Sequence, residues 1–548
     1  MQDFLNSLPG VPFPSQSSIL VDAYNFLSLL IPNKPIVEYT SLTNQLKDRL
    51  FSLKSSFSNV YFFFYREKRS IHKSFHKSLS SLVSFFNSCE STANLPLPVF
   101  GESLLIHLLS NLNIPVYNLT ETNQIFCLSQ HLNSAVCSHH FSLLFFNKTQ
   151  LIFPHKLFSS SAILTSSHLA SSLSIPQSLV PLFGALVDDN HQVSSLVHHK
   201  LVNLYSKTSK EWTLVANNSL IPAIAWFIKE NIGFIPSRND VVDVIINSVI
   251  DLALSSSFSH SSSLSCYWKN LYSFYHNPPS SHFPPPSSSL LPYGYSLLGT
   301  LEEFTCYPTL EDPSSHSVYL ASRPIRQFIY SLIASRSVRE LVRGQGGQVT
   351  SADVPNVVSL KPLVSLQSLG FPDKIDLLTV CFGVQQSVSQ INHDHLPFLL
   401  PLIYLYNLGI PCKEIQALLA MSLAHTKEKK TSEVSSKKVH LLSQYEAVLF
   451  EMSVLCQLLE IFSGFKPFNL ICFNSFSFYC SIIGRRKHLL GSFLDSETLD
   501  LFEKLFKVIV NGTLPSTYRL HSNHQSNHQS NKSLQEAETT NPYELLTG

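Results

Sequence analysis

The residues of this chain best placed to do chemistry are acids that close short apolar runs. Asp22 ends the run in ILVDAYNFL, Glu121 follows IPVYNL, and Asp188 and Asp189 follow SLVPLFGALV. Carboxylates collected from several strand ends can hold two magnesium ions about 3.5–4 Å apart, clamping the attacking and leaving oxygens of a phosphodiester. Each acid also has a plainer reading. Asp22 fits the cap of a helix that follows its strand, Glu121 an exposed helix-start acid, and Asp189 a turn residue in VDDN.

A basic segment follows the second apolar run. Arg66, Lys68, Arg69, Lys73 and Lys77 supply the positive charge that phosphate contacts require, and equally fit a solvated helix face. Arg336, Arg339 and Arg343 stand at helical spacing before Gly344-Gln345-Gly346-Gly347. That glycine run lacks both the dinucleotide-binding spacing and a Walker lysine, so no nucleotide site is read there. Arg323 and Arg326 fit pairing with acids inside the fold, and His139 and His140 fit a loop. With 23 histidines and abundant serine, no Ser/His/Asp or Cys/His grouping stands out.

The elements that must position these groups alternate. SILVDA (18–23) and VYFFFY (60–65) are apolar on both faces, as strands buried in a parallel sheet are. Residues 114–117 and 135–137 read as two further strands, and the apolar segment 141–146 follows. Helices are expected over 42–53 and 101–112, giving an α/β layered domain. Ligands in such sheets gather beyond the carboxyl ends of the strands, where Asp22, Glu121 and Asp189 fall. The pattern turns helical over 212–254. Asn277-Pro278-Pro279 and Phe283-Pro284-Pro285-Pro286 then mark a Ser/Pro-rich linker, onto whose neighbouring domain Tyr267, Trp268 and Tyr272 can dock. A mostly helical region follows, with a polar loop at 425–438. The tail holds the near-repeat SNHQSNHQ and reads as disordered.

The organisation is therefore an α/β domain over 1–235, a helix plus linker over 236–292, a helical domain over 293–518 and a tail over 519–548. Hydrophobic residues make up 44% of the 548 and charged residues 14%, the latter below the roughly 25% of typical soluble domains. The net charge of +1 excludes a global field for nucleic acid or anionic lipid, leaving only local patches. Ten scattered cysteines without a C-x-x-C pair argue against a disulfide framework or structural zinc. The N-terminal MQDFL does not read as a signal peptide. The most apolar stretch, 396–412, holds three prolines and falls short of the ~20 residues that span a bilayer, so it reads as a buried helix and no membrane is expected.

The order of these segments resembles the flap-endonuclease/XPG nuclease superfamily, and more closely its Asteroid and constitutive coactivator of PPAR-gamma branch. ILVDAYNFL is similar to that family's first metal-binding strand. VYNLTETNQIFCLSQHLNSAVCSHHFSLLFFN resembles its acid-rich helix, strand and second acidic cluster. SLSIPQSLVPLFGALVDDN resembles its leucine-rich segment before the last metal aspartate, and SRPIRQFIY its Arg-Pro-(apolar)-Arg-Gln motif. The resemblance covers about 1–235 and the 320s. It implies a PIN-like fold, a parallel sheet followed by a mostly α-helical region. It also implies metal acids where this chain has Tyr65, Asn123, His140 and Ser142; Asp22, Glu121 and Asp189 remain as vestiges. Two magnesium ions carry four positive charges that three acids do not balance, and histidine and serine are poor replacements for hard-cation ligands.

The resemblance thus implies a pseudo-nuclease without catalytic residues, a dedicated metal site or a cofactor, beyond at most one weakly held magnesium at the vestigial acids. The expected role is a nuclease-fold scaffold in transcriptional co-regulation and/or RNA binding, in the nucleus and/or cytoplasm. Expected partners are RNA or DNA, through Arg66 to Lys77, and a nuclear receptor or other regulatory protein. The alternatives are a residual metal-dependent, structure-specific nuclease and a protein adaptor without nucleic-acid contact.

Overall fold

A computed structural model describes residues 11–12, 17–31, 39–65, 99–146, 148–158, 162–187, 220–232, 243, 245–247, 261–278, 283–287, 291–298, 303–306, 311–312, 314–334, 336–344, 348–356, 363–384, 391–423, 436–467 and 496–511. The chain forms two compact units that interleave in sequence: a sheet unit of 1–29, 50–67 and 114–287, and a mostly helical unit of 30–49, 68–113 and 288–548.

The sheet unit is an α/β layer. Its strands are β1 (Val11–Pro12), β2 (Ser18–Asp22), β3 (Asn59–Tyr65), β4 (Val116–Leu119), β5 (Ser134–Cys137), β6 (Gln150–Ile152) and β7 (Ala162–Thr165). They lie in the order β1-β7-β6-β5-β2-β3-β4. From β6 to β4 every pairing is parallel, and β7 and β1 complete the sheet antiparallel. Within the parallel part β2 is central and β3 lies beside it; these are the two apolar runs, with Ile19, Leu20, Phe62, Phe63 and Phe64 all buried. Layers on both sides of a parallel sheet exclude water from both faces, which is why these strands do not alternate with polar residues. Around them run helices α1 (Ala23–Leu30), α4 (Thr122–His131), α5 (Ser166–Leu173), α6 (Val180–Val187), α7 (Leu220–Ile232) and α8 (Ser261–His276).

Helix α8 occupies much of the Ser/Pro-rich linker that, with a helix before it, is expected within 236–292. Its serines suggest an open chain, but Trp268, Leu271 and Tyr275 recur at helical spacing and join the core together with Tyr267, Tyr272 and Phe274. Burying one such aromatic removes about 150–250 Å² from water, on the order of 4–6 kcal/mol at about 25 cal/mol per Å², which outweighs the weak helix propensity of serine. Helix α8 lies along α6, where Gly184 leaves room for the Phe145 ring.

The helical unit contains α3 (Gly101–Asn111), most of α2 (Tyr39–Ser56), α9 (Val318–Ile333), α10 (Phe371–Cys381), α11 (Leu396–Asn407), α12 (Cys412–Leu423), α13 (Ser436–Leu458) and α14 (Ser496–Asn511). Residues 396–407 of the apolar stretch form α11, a buried helix, and Cys412 begins α12. No single described helix is long and apolar enough to cross a membrane. This unit also holds a small sheet that the helical reading of 293–518 did not include: β8 (Glu303–Thr305), β9 (Val338–Arg343) and β10 (Val349–Val354), in the order β10-β9-β8. The arginines expected on a helix therefore lie on or beside a strand.

Strand β9 escapes a hydrophobic pattern because two of its buried residues are charged. Arg326 on α9 is fully buried. It donates to Glu340 at 2.7 Å, to Ser322 Oγ at 2.6 Å and to the Tyr319 carbonyl at 2.7 Å. Arg323 meets the other Glu340 oxygen at 2.9 Å, and the Tyr330 hydroxyl adds a third donor at 2.8 Å. Arg343 pairs with buried Glu311 at 2.6 Å and donates to the Asp312 and Ser315 carbonyls. A buried charge is tolerated only when paired and hydrogen-bonded in this way. Arg323 and Arg326 thus hold α9 against β9, the structural role that their sequence setting suggests.

Candidate functional site: the carboxyl edge of the parallel sheet

Asp22 is the last residue of central strand β2 and the residue before α1. Its side chain is 1% exposed, and both carboxylate oxygens are engaged. The Asn25 N–H donates to Oδ1 at 3.1 Å, so the acid caps α1. The Ser138 hydroxyl, just beyond β5, donates to Oδ2 at 2.9 Å. His140 Nε2 stands 3.6 Å from the same oxygen. Around this carboxylate the loop after β5 is folded back: the His139 N–H donates to Asn25 Oδ1 at 2.6 Å, and the His140 N–H to Ser138 Oγ at 3.1 Å.

The neighbouring strands bring in neutral groups. Tyr65 ends β3, and its ring meets the His140 imidazole edge-on with centroids 5.0 Å apart. The Tyr65 hydroxyl is 2.8 Å from Thr122 Oγ1, at the start of the helix after β4. The ends of β2, β3 and β5 and the start of α4 thus converge through Asp22, Tyr65, Ser138, His140 and Thr122. His140 is 34% exposed, so the cluster reaches solvent through its imidazole.

Burial pushes the Asp22 carboxyl above its ordinary range, while His140, the Asn25 N–H and Ser138 pull it back only in part. Burial likewise lowers His139, helped by His155 and His140. The Cys137 thiol is driven well up by burial and by the nearby Asp22 charge, which leaves no reactive thiolate. Ser138 is fully buried and donates its hydroxyl hydrogen to the Asp22 carboxylate rather than to an imidazole.

Of the expected acids, Asp22 alone enters this cluster among the described residues. Glu121 is exposed and serves as the N-cap of α4; Gln124 reaches back to accept from the Thr120 and Glu121 N–H groups at 2.8 and 3.2 Å. Asn123 is buried on α4 with its Oδ1 unpaired, and Ser142 lies in the short 3-10 turn Phe141–Phe145. Asp189 and the basic segment of Arg66, Lys68, Arg69, Lys73 and Lys77 lie outside the described residues. Asn25 and Ser138 were not singled out from sequence. The Asp-x-x-Asn spacing at a strand-to-helix junction signals the Asn25 contact, whereas nothing local marks Ser138.

Among the described residues the cluster does not fit a two-magnesium centre: its one carboxylate is buried and already hydrogen-bonded, and its other members are neutral hydroxyls and an imidazole, where hard cations need several anionic oxygens. Among the described residues no three or more His, Cys, Asp or Glu side chains group to hold a metal ion. No family model matches the chain, and neither the curated proteins nor the solved structures searched give a significant match.

Proposed function

We propose that this chain is a non-catalytic scaffold on a PIN-like, flap-endonuclease-type fold of the Asteroid and constitutive-coactivator kind, binding RNA or DNA in transcriptional co-regulation. A nuclear receptor or other regulatory protein is the second partner in this reading, and the nucleus and/or cytoplasm the place of action. One observation carries the argument. The acid at the position most suited to a metal is spent on structure: Asp22 caps α1 and ties it to the loop after β5, with Tyr65 and His140 beside it in place of further carboxylates. A fold that keeps its strand-end geometry while neutralising its charge retains a surface but not the means to activate water.

The test is binding of fluorescent single-stranded RNA and flap DNA across a salt series, with and without magnesium. Binding should weaken with salt and yield no product in either condition. Alanine at Arg66, Lys68, Arg69, Lys73 and Lys77 should weaken it further and flatten the salt slope, by about 0.7 for each single-strand phosphate no longer neutralised. Magnesium-dependent cleavage that disappears in Asp22→Ala would establish the residual nuclease instead. Neither binding nor cleavage would leave the protein adaptor.

A further inference from the structure

Residues 283–287, Phe-Pro-Pro-Pro-Ser, form a strap on the sheet unit that is fixed at both ends. Phe283 packs against the core, its ring centroid 5.3 Å from that of His131 at the end of α4. Ser287 donates its N–H to the Val116 carbonyl at 2.6 Å, and Val116 begins β4, the outermost strand on that side. Between these anchors Pro284, Pro285 and Pro286 are exposed.

The chemistry of the run fixes its shape. Each proline has φ near −65°. Phe283, Pro284 and Pro285 each precede a proline, which confines them to the extended and polyproline II regions. The three prolines offer no N–H, so no strand can pair with them as it would with an ordinary sheet edge. What they present is a ridge of apolar rings with bare carbonyls. Its complement is a groove walled by parallel aromatic rings with a donor for those carbonyls, the way polyproline II segments are recognised.

We infer that Pro284–Pro286 is a prefolded ligand for the aromatic-lined polyproline groove of a partner protein. The anchoring of Phe283 and Ser287 removes ordering entropy that a free proline-rich chain would lose on binding. This inference is independent of the nucleic-acid reading. Its rival is that the prolines only shield the β4 edge from pairing.

The experiment titrates the full chain against purified, labelled WW, SH3 and EVH1 domains and profilin, read by fluorescence anisotropy. At least one should bind saturably, and Pro285→Ala with Pro286→Ala should weaken it tenfold or more while leaving the unfolding midpoint in place. Phe283→Ala, which keeps all three prolines and frees one anchor, should weaken binding severalfold. A nine-residue peptide of residues 281–289 should compete, and its double-alanine version should not. That competition decides the matter even if the double variant of the full chain is unstable. Absence of binding across the panel, wild-type affinity in the double variant, or failure of the proline peptide to compete would each overturn the inference.

Discussion

Replacing Asp22 separates a structural latch from a catalytic acid. In Asp22→Ala the cap of α1 is lost, about 1 kcal/mol within a range of 0.5–2. The buried Ser138 hydroxyl also loses its acceptor, on the order of 1–3 kcal/mol. The sum is roughly 2–4 kcal/mol, offset in part at neutral pH because burial disfavours the ionised carboxylate. Asp22→Asn keeps a capping oxygen and an acceptor, and should be close to wild type or above it at pH 7. The sign follows from the raised carboxyl: its contribution to stability is full below 3.8 and lost as pH rises through the folded-state value. Asparagine does not titrate, so its advantage over wild type should grow with pH through that window and then level off. Urea unfolding followed by tryptophan fluorescence is the assay. Trp226 and Trp268 lie in the sheet unit, and residues 30–49, 68–113 and 288–548 contain no tryptophan, so the signal reports the sheet unit. With a slope of about 2–3 kcal/mol/M, Asp22→Ala should lower the midpoint by about 1 M. Stability of Asp22→Ala within about 0.5 kcal/mol of wild type at pH 5 and pH 7 would refute the latch, since removing an acid kept for function commonly costs nothing in stability.

Two further outcomes test the packing. Glu451 is buried in the helical unit beside Arg326 and the Tyr295 hydroxyl, and burial holds its carboxyl up at about 7 despite the nearby guanidinium. Its contribution to stability is therefore full below about 4.5 and falls as pH rises through about 7. Thermal unfolding by far-UV circular dichroism from pH 5 to 8 should show this loss, smaller by on the order of 2–3 kcal/mol in Glu451→Gln, and identical profiles would refute it. Gly184→Ala drives a methyl into the Phe145 ring and should cost about 1–3 kcal/mol or more in tryptophan-detected unfolding; restored stability in Gly184→Ala with Phe145→Leu would locate the cause.

Strands β2 and β3 were legible because burial on both faces imposes continuous apolar runs, and the helices at 39–56 and 101–111 because their apolar spacing is local. Strand β9 was not: Glu340 and Arg343 are buried through partners on other elements, and no window of neighbouring residues contains those partners. Helix α8 was masked by serine and became part of the core through aromatic residues whose burial only the sheet unit provides. At the candidate site, Asp22, Tyr65 and His140 could be named from the order of the segments, but Ser138 could not.

The sequence by itself therefore determined the apolar strands β2 and β3 and that β2 ends in an acid and β3 in a neutral side chain, because these depend on side-chain type and nearest neighbours. The tertiary structure alone decided what Asp22 does. The hydroxyl that occupies Asp22 Oδ2 is 116 positions away, brought there by the parallel pairing of β2 with β5, and a buried carboxylate takes its chemistry from the donors the fold delivers to it.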